Sequence, residues 1–244
     1  MEPSPVAKPT HWSSGATATK GETCEPDYAY CLRGIQEFPH CPTSLGQEMV
    51  ERFLALIALI LFAPLMLVIA AIIRFDSPGP ALFRQLRVQQ GGKLFRFTKF
   101  RTYYADAKDR FPELYIYTIA PETLQDYKFK VPDDPRATRF GKWLRKSTLD
   151  ELPNLWHVLT GEMTIVGPRP EIPEFLPNYT HEELRIFCIR PGVTGLAQIS
   201  GRGLLTFPET CAYNLEYLKK RSVAFDTKIV VLTVWRVILR HGAF

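Results

Sequence analysis

Two adjacent carboxylates, Asp150 and Glu151, stand in the stretch Ser147-Thr148-Leu149-Asp150-Glu151-Leu152-Pro153-Asn154-Leu155-Trp156, with basic segments on both sides. Such a pair can divide two tasks: one carboxylate attacks, and the other holds a hard cation such as Mg²⁺ through oxygen. The ordinary alternative is a helix cap, because Thr148-x-x-Glu151 has the capping-box spacing and Asp is common where helices begin. The surroundings favour chemistry. Arg136, Arg139, Lys142, Arg145 and Lys146 precede the pair. Val166-Gly167-Pro168-Arg169-Pro170 and the run from Arg190 through Gln198 to Arg202 follow it. In each of these two loops Pro and Gly fix the backbone around an arginine, which suits a fixed bidentate grip on phosphate.

The elements that must position these residues can be read in outline. Leu152, Leu155, Trp156 and Leu159 repeat at i, i+3, i+4 and i+7, and Gly161 supplies a stop, so the spacing predicts a short helix. Pro153 is tolerated only where its missing amide has no helical partner, which places Asp150 near N-cap and Pro153 at N3. Both carboxylates would then lie at the positive end of the helix dipole. Asp150 is expected to stay ionised at neutral pH, and the free amides to welcome a phosphate.

Residues 82–101 alternate polar and apolar on both sides of Gly91-Gly92, the pattern of a β-hairpin. From Arg74 to Arg101 there are seven basic residues and one acidic, Asp76. Strand periodicity puts Lys99 and Arg101 on one face, able to hold one phosphate together. Arg84, Arg87 and Arg96 read as a solvated or lipid-facing basic patch. Gly91-Gly92-Lys93 lacks the spaced first glycine and the following Ser/Thr of a P-loop.

Ahead of the hairpin, Phe53 to Ile73 form 21 residues without a charge. As one helix they reach roughly 32 Å, about the thickness of a bilayer's hydrocarbon core. Pro64 removes a backbone hydrogen bond in the middle. The helix either spans with a kink or bends at Ala63-Pro64 and returns to the face it entered; a buried core helix is the third possibility. The physics of the sequence leaves these open.

The net charge is +5, yet the first 46 residues hold three basic and five acidic side chains, so the remaining stretch is more basic still. Phosphate esters, acidic headgroups and nucleic acid all fit on charge alone. No groove-reading or base-stacking motif accompanies the charge, which argues against nucleic acid. Five cysteines form no CxxC pair and no zinc spacing, and read as reduced thiols in a cytosolic compartment. Residues 1–46 lack the features of a signal peptide, are rich in Pro, Ser, Thr and Gly, and read as a disordered tail. Residues 105–140 show no clean period and read as a surface segment. Residues 225–239 are too short to span, and either lie in the membrane interface or pack in the core. Tyr213, Tyr217 and Leu218 are candidates to face lipid, and Lys219-Lys220 to reach headgroups.

Five motifs in order then identify a resemblance. They are the Pro-interrupted apolar helix, Lys93–Thr102 (KLFRFTKFRT), Asp133–Met163, Val166–Pro170 (VGPRP) and Arg190–Arg202 (RPGVTGLAQISGR). From about Gln47 to the C-terminus the chain resembles the bacterial sugar transferase family, monotopic phosphoglycosyl transferases that load sugar 1-phosphate onto polyprenyl phosphate. The resemblance implies an α+β fold, mostly helical, with a re-entrant membrane helix broken at its proline, amphipathic interfacial helices and a small β-hairpin around a cytoplasmic catalytic core. Residues 1–46 would be the tail, 47–75 the membrane helix and 76–244 the catalytic part. It further implies that Asp150 attacks the β-phosphate of a UDP-sugar, releases UMP and holds the phosphosugar until polyprenyl phosphate displaces it. Glu151, with Asp150, would bind Mg²⁺. Lys99, Arg101, Arg145, Arg169, Arg190, Gln198 and Arg202 become phosphate or substrate contacts. The location implied is the bacterial inner membrane, facing the cytoplasm, with membrane lipid as a partner and a homo-oligomer compatible. Ala63 stands where the family often has Ser, so a hydroxyl that would satisfy a freed carbonyl is absent. The rival function is a catalytically silent membrane-anchored scaffold of the same fold, and the intact Asp150-Glu151 pair speaks against it. Neither the sugar nor the glycoconjugate pathway is legible.

Overall fold

The computed structural model describes residues 28–41, 43–117, 119–129, 133–201 and 204–238. Its first helix, α1 (Ala29–Gln36), lies in the segment expected to be a disordered tail. Cys31 and Ile35 are fully buried, packed with Val88, Leu176, Leu184, Ile186 and Phe187. The expectation is therefore corrected for residues 28–41: alternating apolar side chains hidden in a polar composition close one of the hydrophobic clusters. Residues 1–27 lie outside the described part.

Helix α2 (Leu45–Asp76) begins at Ser44, whose hydroxyl accepts from the Gln47 amide at 3.2 Å. It is long and apolar enough to cross a membrane, and it runs through Ala63 and Pro64 as one helix, with both residues exposed. Its buried positions are few, chiefly Glu51, Ala55, Ile69 and Ile73, while Leu61, Leu67 and Phe75 are 69%, 73% and 91% exposed. A core helix would hide those side chains, so that alternative is overturned; this is a large unpartnered apolar surface, of the kind that associates with lipid.

The hairpin forms as the alternation predicts. Strands β1 (Leu82–Val88) and β2 (Leu94–Phe100) pair antiparallel, with Leu82 opposite Phe100 and Val88 opposite Leu94. Gly91 and Gly92 make the turn at φ 70° and 76°, a conformation that favours glycine. The turn sits under α1, where a Cβ on Gly92 would press on the Leu32 carbonyl at 3.0 Å.

Residues 105–140 hold the short helices α3 (Ala107–Arg110) and α4 (Pro121–Leu124). They are more than surface: Tyr117, Ile119, Leu124 and Tyr127 pack on Ile172, Phe175, Phe207 and Cys211. Helix α5 (Arg139–Ser147) and helix α6 (Leu155–Thr160) then flank the carboxylate turn. A second sheet, which sequence patterning did not reveal, pairs β3 (Thr164–Val166) parallel with β4 (Gly192–Thr194). Helices α7 (Leu196–Gly201), α8 (Phe207–Lys220) and α9 (Val223–Ile238) complete the described chain. Thr206 and Glu209 form a capping box at the start of α8.

Helix α9 meets the core expectation in part: Ile229 is fully buried, whereas Val231, Val234 and Trp235 are exposed. Tyr217 corrects another. It is 1% exposed and its hydroxyl donates to Asp226 Oδ1 at 2.7 Å, so it faces protein, not lipid. The four described cysteines are free thiols.

Candidate active site around Asp150 and Glu151

Helix α5 is capped by Thr138, whose Oγ1 accepts from the Gly141 amide at 2.9 Å, and it ends at Thr148 in the left-handed conformation, φ 59°. That reversal feeds the chain into a tight 3₁₀ turn, Leu149–Asn154, which carries Asp150, Glu151 and Pro153; regular helix starts only at Leu155. The expected N-cap at Asp150 is thus displaced by four residues, to Asn154. Proline without an amide fits the 3₁₀ turn, and Gly161 at φ 83° ends α6 as its position predicts. The capping explanation is not realised. The Thr148 hydroxyl donates to the Ser147 carbonyl at 2.6 Å, and the Glu151 carboxylate accepts from Arg169 Nη1 at 2.6 Å.

Asp150 is 6% exposed. Burial pushes its carboxyl up to about 6; Lys99, Arg169 and Arg145 pull it down, and Glu151 adds to the rise. The helix-dipole expectation is corrected in its cause. A short turn supplies little dipole, burial disfavours the charge, and neighbouring cations keep the group mostly ionised at neutral pH. Lys99 is the counterpart: burial lowers its ammonium to about 8, while Asp150 favours the charged form.

The electrostatic influence of Lys99 on Asp150 depends on how β2 is held. The Thr98 amide donates to His157 Nε2 at 3.0 Å, and His157 Nδ1 lies 2.6 Å from Glu162 Oε2. With Nε2 accepting, the proton resides on Nδ1 and is donated to Glu162. The imidazole stacks on Phe97. The strand bearing Lys99 is therefore fastened to the helix that follows the carboxylates.

Arg145 reaches the site's border. Its Nη1 donates to the Tyr103 hydroxyl at 2.8 Å and to Asp134 Oδ2 at 3.2 Å. Asp134 is buried, which alone would raise its pKa; hydrogen bonds from Arg136 and Tyr103 outweigh that and hold it well below the usual carboxylate range. Asp134, Tyr103 and Arg136 escaped sequence reasoning as a group because nothing in their spacing shows that they meet.

Arg87 corrects the lipid-facing reading. Its guanidinium turns inward, donating to the Pro170 carbonyl at 3.0 Å and Gln85 Oε1 at 2.9 Å, 3.6 Å from Glu171 Oε1. It braces the loop immediately after Arg169. Arg84 and Arg96 remain exposed. Asn154, on the carboxylate turn, is 1% exposed, and neither side-chain amide atom has a hydrogen-bond partner among the described residues.

The remaining predicted contacts are placed elsewhere. Arg101 is buried and donates to the carbonyls of Ile73, Ser77 and Pro78, closing the C-terminal end of α2. A phosphate shared between Arg101 and Lys99 is thereby corrected: Arg101 comes after the last strand residue, and α2 carbonyls take its donors. Arg190 donates to Glu48 Oε1 at 2.6 Å and ties its loop to the start of α2. Gln198 lies in α7, with its amide buried and without a partner among the described residues. Arg202 lies outside the described part. Gly167, Gly192 and Gly195 let the two Pro/Gly loops touch backbone to backbone; a Cβ on Gly192 would collide with the Gly167 nitrogen.

No cluster of three His, Cys, Asp or Glu side chains suited to a metal occurs among the described residues. Two adjacent carboxylates nonetheless fit Mg²⁺, which commonly takes one or two carboxylates and completes its shell with phosphate oxygens and water.

The sequence pattern of the family described as bacterial sugar transferase matches residues 43–240. The galactosyl transferase CpsE of Streptococcus agalactiae is 38% identical over 198 residues, covering 79% of this chain and 43% of CpsE. The exopolysaccharide production protein ExoY of Rhizobium meliloti is 35% identical over 192 residues, covering 78% of this chain and 84% of ExoY. The UDP-glucose:undecaprenyl-phosphate glucose-1-phosphate transferase of Xanthomonas campestris is 36% identical over 208 residues, covering 82% of this chain and 40% of that protein. The matched part thus spans less than half the length of two of these three relatives, and most of the third.

Proposed function

Because the chain belongs to the bacterial sugar transferase family, we propose that it transfers a sugar 1-phosphate from a UDP-sugar to undecaprenyl phosphate, with release of UMP, as an early membrane step of glycoconjugate assembly. The observation that carries this reading is the buried Asp150 set against Lys99 and Arg169 inside the family-matched region. The names of relatives, including the undecaprenyl-phosphate glucose phosphotransferase of Komagataeibacter xylinus, support the reaction class.

In the first half-reaction an Asp150 carboxylate oxygen attacks the β-phosphorus of the UDP-sugar. The bond from that phosphorus to the bridging oxygen breaks, and UMP leaves with the electron pair. In the second, a phosphate oxygen of the lipid attacks the same phosphorus and releases the Asp150 carboxylate. No proton transfer is obligatory, because UMP is a good leaving group and the acceptor is already anionic; catalysis is chiefly positioning and charge stabilisation. Lys99 and Arg169 offset the negative charge gathered around the phosphorus, and Arg145 adds to the field from the Asp134 knot. Mg²⁺, held by Glu151 and Asp150, would supply further charge neutralisation at phosphate oxygens. Glu151 would have to give up or share its bond to Arg169 in doing so, which frees that guanidinium for phosphate.

For the membrane part, we place α2 in the inner membrane with both ends on the cytoplasmic side, the path turning at Pro64. Tags placed before Gln47 and after Arg74 are both expected to be shielded from outside reagents in intact cells; external labelling of the first tag alone would establish a spanning helix. For the chemistry, wild type is expected to release UMP from at least one UDP-sugar in a panel, and Asp150→Asn to release none. Full activity in Asp150→Asn would remove the nucleophile assignment.

A further inference from the structure

Two of the free cysteines stand sulfur to sulfur. Cys41 lies ahead of α2, just before the family-matched span of residues 43–240. Cys188 ends the 3₁₀ turn Glu183–Cys188, two residues before Arg190. The Cys188 thiol donates to Cys41 Sγ at 3.1 Å, and the Cys41 thiol donates to the Pro39 carbonyl at 3.8 Å. The other two described thiols are differently placed. Cys31 and Cys211 are fully buried inside hydrophobic clusters, where a thiol serves as a small apolar side chain.

Contacts from separate elements hold the pair in register. The Cys41 amide donates to the Cys188 carbonyl at 3.0 Å. Gln90, in the hairpin turn, donates through Nε2 to both carbonyls, at 2.8 Å to Cys188 and 3.4 Å to Cys41. Arg221, just after α8, donates to the Cys41 carbonyl at 3.1 Å and to the Thr43 hydroxyl at 2.5 Å. The paired backbones thus keep the two sulfurs about 1 Å outside bonding distance. The sulfurs are not equivalent. Burial pushes the Cys188 thiol up to about 12, its bond to Cys41 adds to the rise, and the Arg221 and Arg185 guanidiniums pull it down. Cys41 is only half-buried, and is the sulfur that a small solute can reach.

We propose that Cys41 and Cys188 are a reversible oxidation site that closes to a disulfide on exposure to hydrogen peroxide. The Cys41 thiolate attacks one peroxide oxygen and the O–O bond breaks. Cys41 becomes a sulfenic acid, and the hydroxide released takes up the proton that Cys41 gave up, forming water. The Cys188 sulfur then attacks the Cys41 sulfur; the S–O bond breaks, and the hydroxyl leaves with the Cys188 proton as a second water. One peroxide is reduced to two waters while two thiols are oxidised to one disulfide. The bond ties the segment that carries α1 to the loop that carries Arg190, and because it joins residues 147 apart it restricts the unfolded chain strongly. A dithiol reopens it by exchange.

The full chain, purified in detergent with reductant and then freed of it, is exposed to hydrogen peroxide, alkylated and digested. The expected product is a pair of peptides joined through Cys41 and Cys188, lost after dithiothreitol. Dimedone, which captures sulfenic acid, is expected to label Cys41 in Cys188→Ala and to leave Cys188 unlabelled in Cys41→Ala. Oxidised wild type is expected to melt roughly 5 °C or more above the reduced protein, a shift that both variants lose. Recovery of Cys41 and Cys188 as free thiols while N-acetylcysteine in the same tube is oxidised would overturn the proposal. So would a bond from Cys41 to Cys24 or to a second chain, or dimedone captured on Cys188 in Cys41→Ala. Identical melting of the oxidised and reduced protein would remove the tethering role. None of these readouts involves a UDP-sugar, so they stand apart from the fate of the transferase reading.

Discussion

At the scale of single residues, the proposed chemistry turns on two groups whose protonation is shifted towards each other. Burial raises Asp150 to about 6 and lowers Lys99 to about 8. The proposed attack requires Asp150 ionised, so activity should rise as pH climbs through about 6; the proposed charge stabilisation requires Lys99 protonated, so it should fall as pH climbs through about 8. A bell-shaped kcat/KM profile with limbs near those values is the expected outcome, since kcat/KM reports the free enzyme. Lys99→Met should lower kcat/KM and abolish the alkaline limb while keeping the acid one. A flat profile from pH 5 to 9 would disprove the pairing. The carboxylates and Arg169 were legible as one local set because their residue types and rigid loops are local properties. The pKa values were not, because they depend on burial beneath elements that lie elsewhere in the chain.

At the scale of elements, the site is an assembly of short pieces that would not hold their shape alone. The carboxylate turn leans on β2, and β2 is fastened to α6 through Thr98, His157 and Glu162. Removing the imidazole in His157→Ala leaves the Thr98 amide without its partner and opens space beside Phe97. The expected result is a loss of about 2–4 kcal/mol of stability in chemical denaturation, from an orphaned buried donor plus a cavity. The two Pro/Gly loops meet because β3 and β4 pair in parallel, a contact that glycines make possible. Gly192→Ala is expected to destabilise by roughly 1–3 kcal/mol through overpacking and to lower kcat/KM, because it moves the Arg169 loop. Wild-type stability in this variant would show that the loops need not touch. The hairpin was readable from alternation and Gly91-Gly92, whereas a parallel pair of three-residue strands leaves no periodic signature.

At the scale of the whole molecule, an exposed apolar helix stands beside a domain whose clusters are closed by distant segments. The first of these is α1, outside the family-matched span of residues 43–240. Ile35 is fully buried there, so Ile35→Ala is expected to cost about 2–5 kcal/mol, read as a fall in the denaturation midpoint. No change would mean that α1 is dispensable to the domain. At the start of α2, Gln47 Nε2 donates to Glu51 Oε1 and Asp226 Oδ2, and Thr164 Oγ1 donates to Glu51 Oε2 at 2.6 Å. This network links the long apolar helix to β3 and α9.

What the sequence determined by itself was everything carried by residue type and short-range spacing. That comprised the carboxylate pair, the rigid arginine loops, the hairpin, the length of the apolar helix and the stop at Gly161. Only tertiary structure decided how these were used. It turned Arg101 onto the carbonyls of α2 and Arg190 onto Glu48, and drew Arg87 beneath the Arg169 loop. It also packed α1 against the hairpin turn. The physical reason is that a cation's partner is set by which carbonyls, carboxylates and rings the fold brings within about 3 Å of it, and those come from parts of the chain far away in sequence.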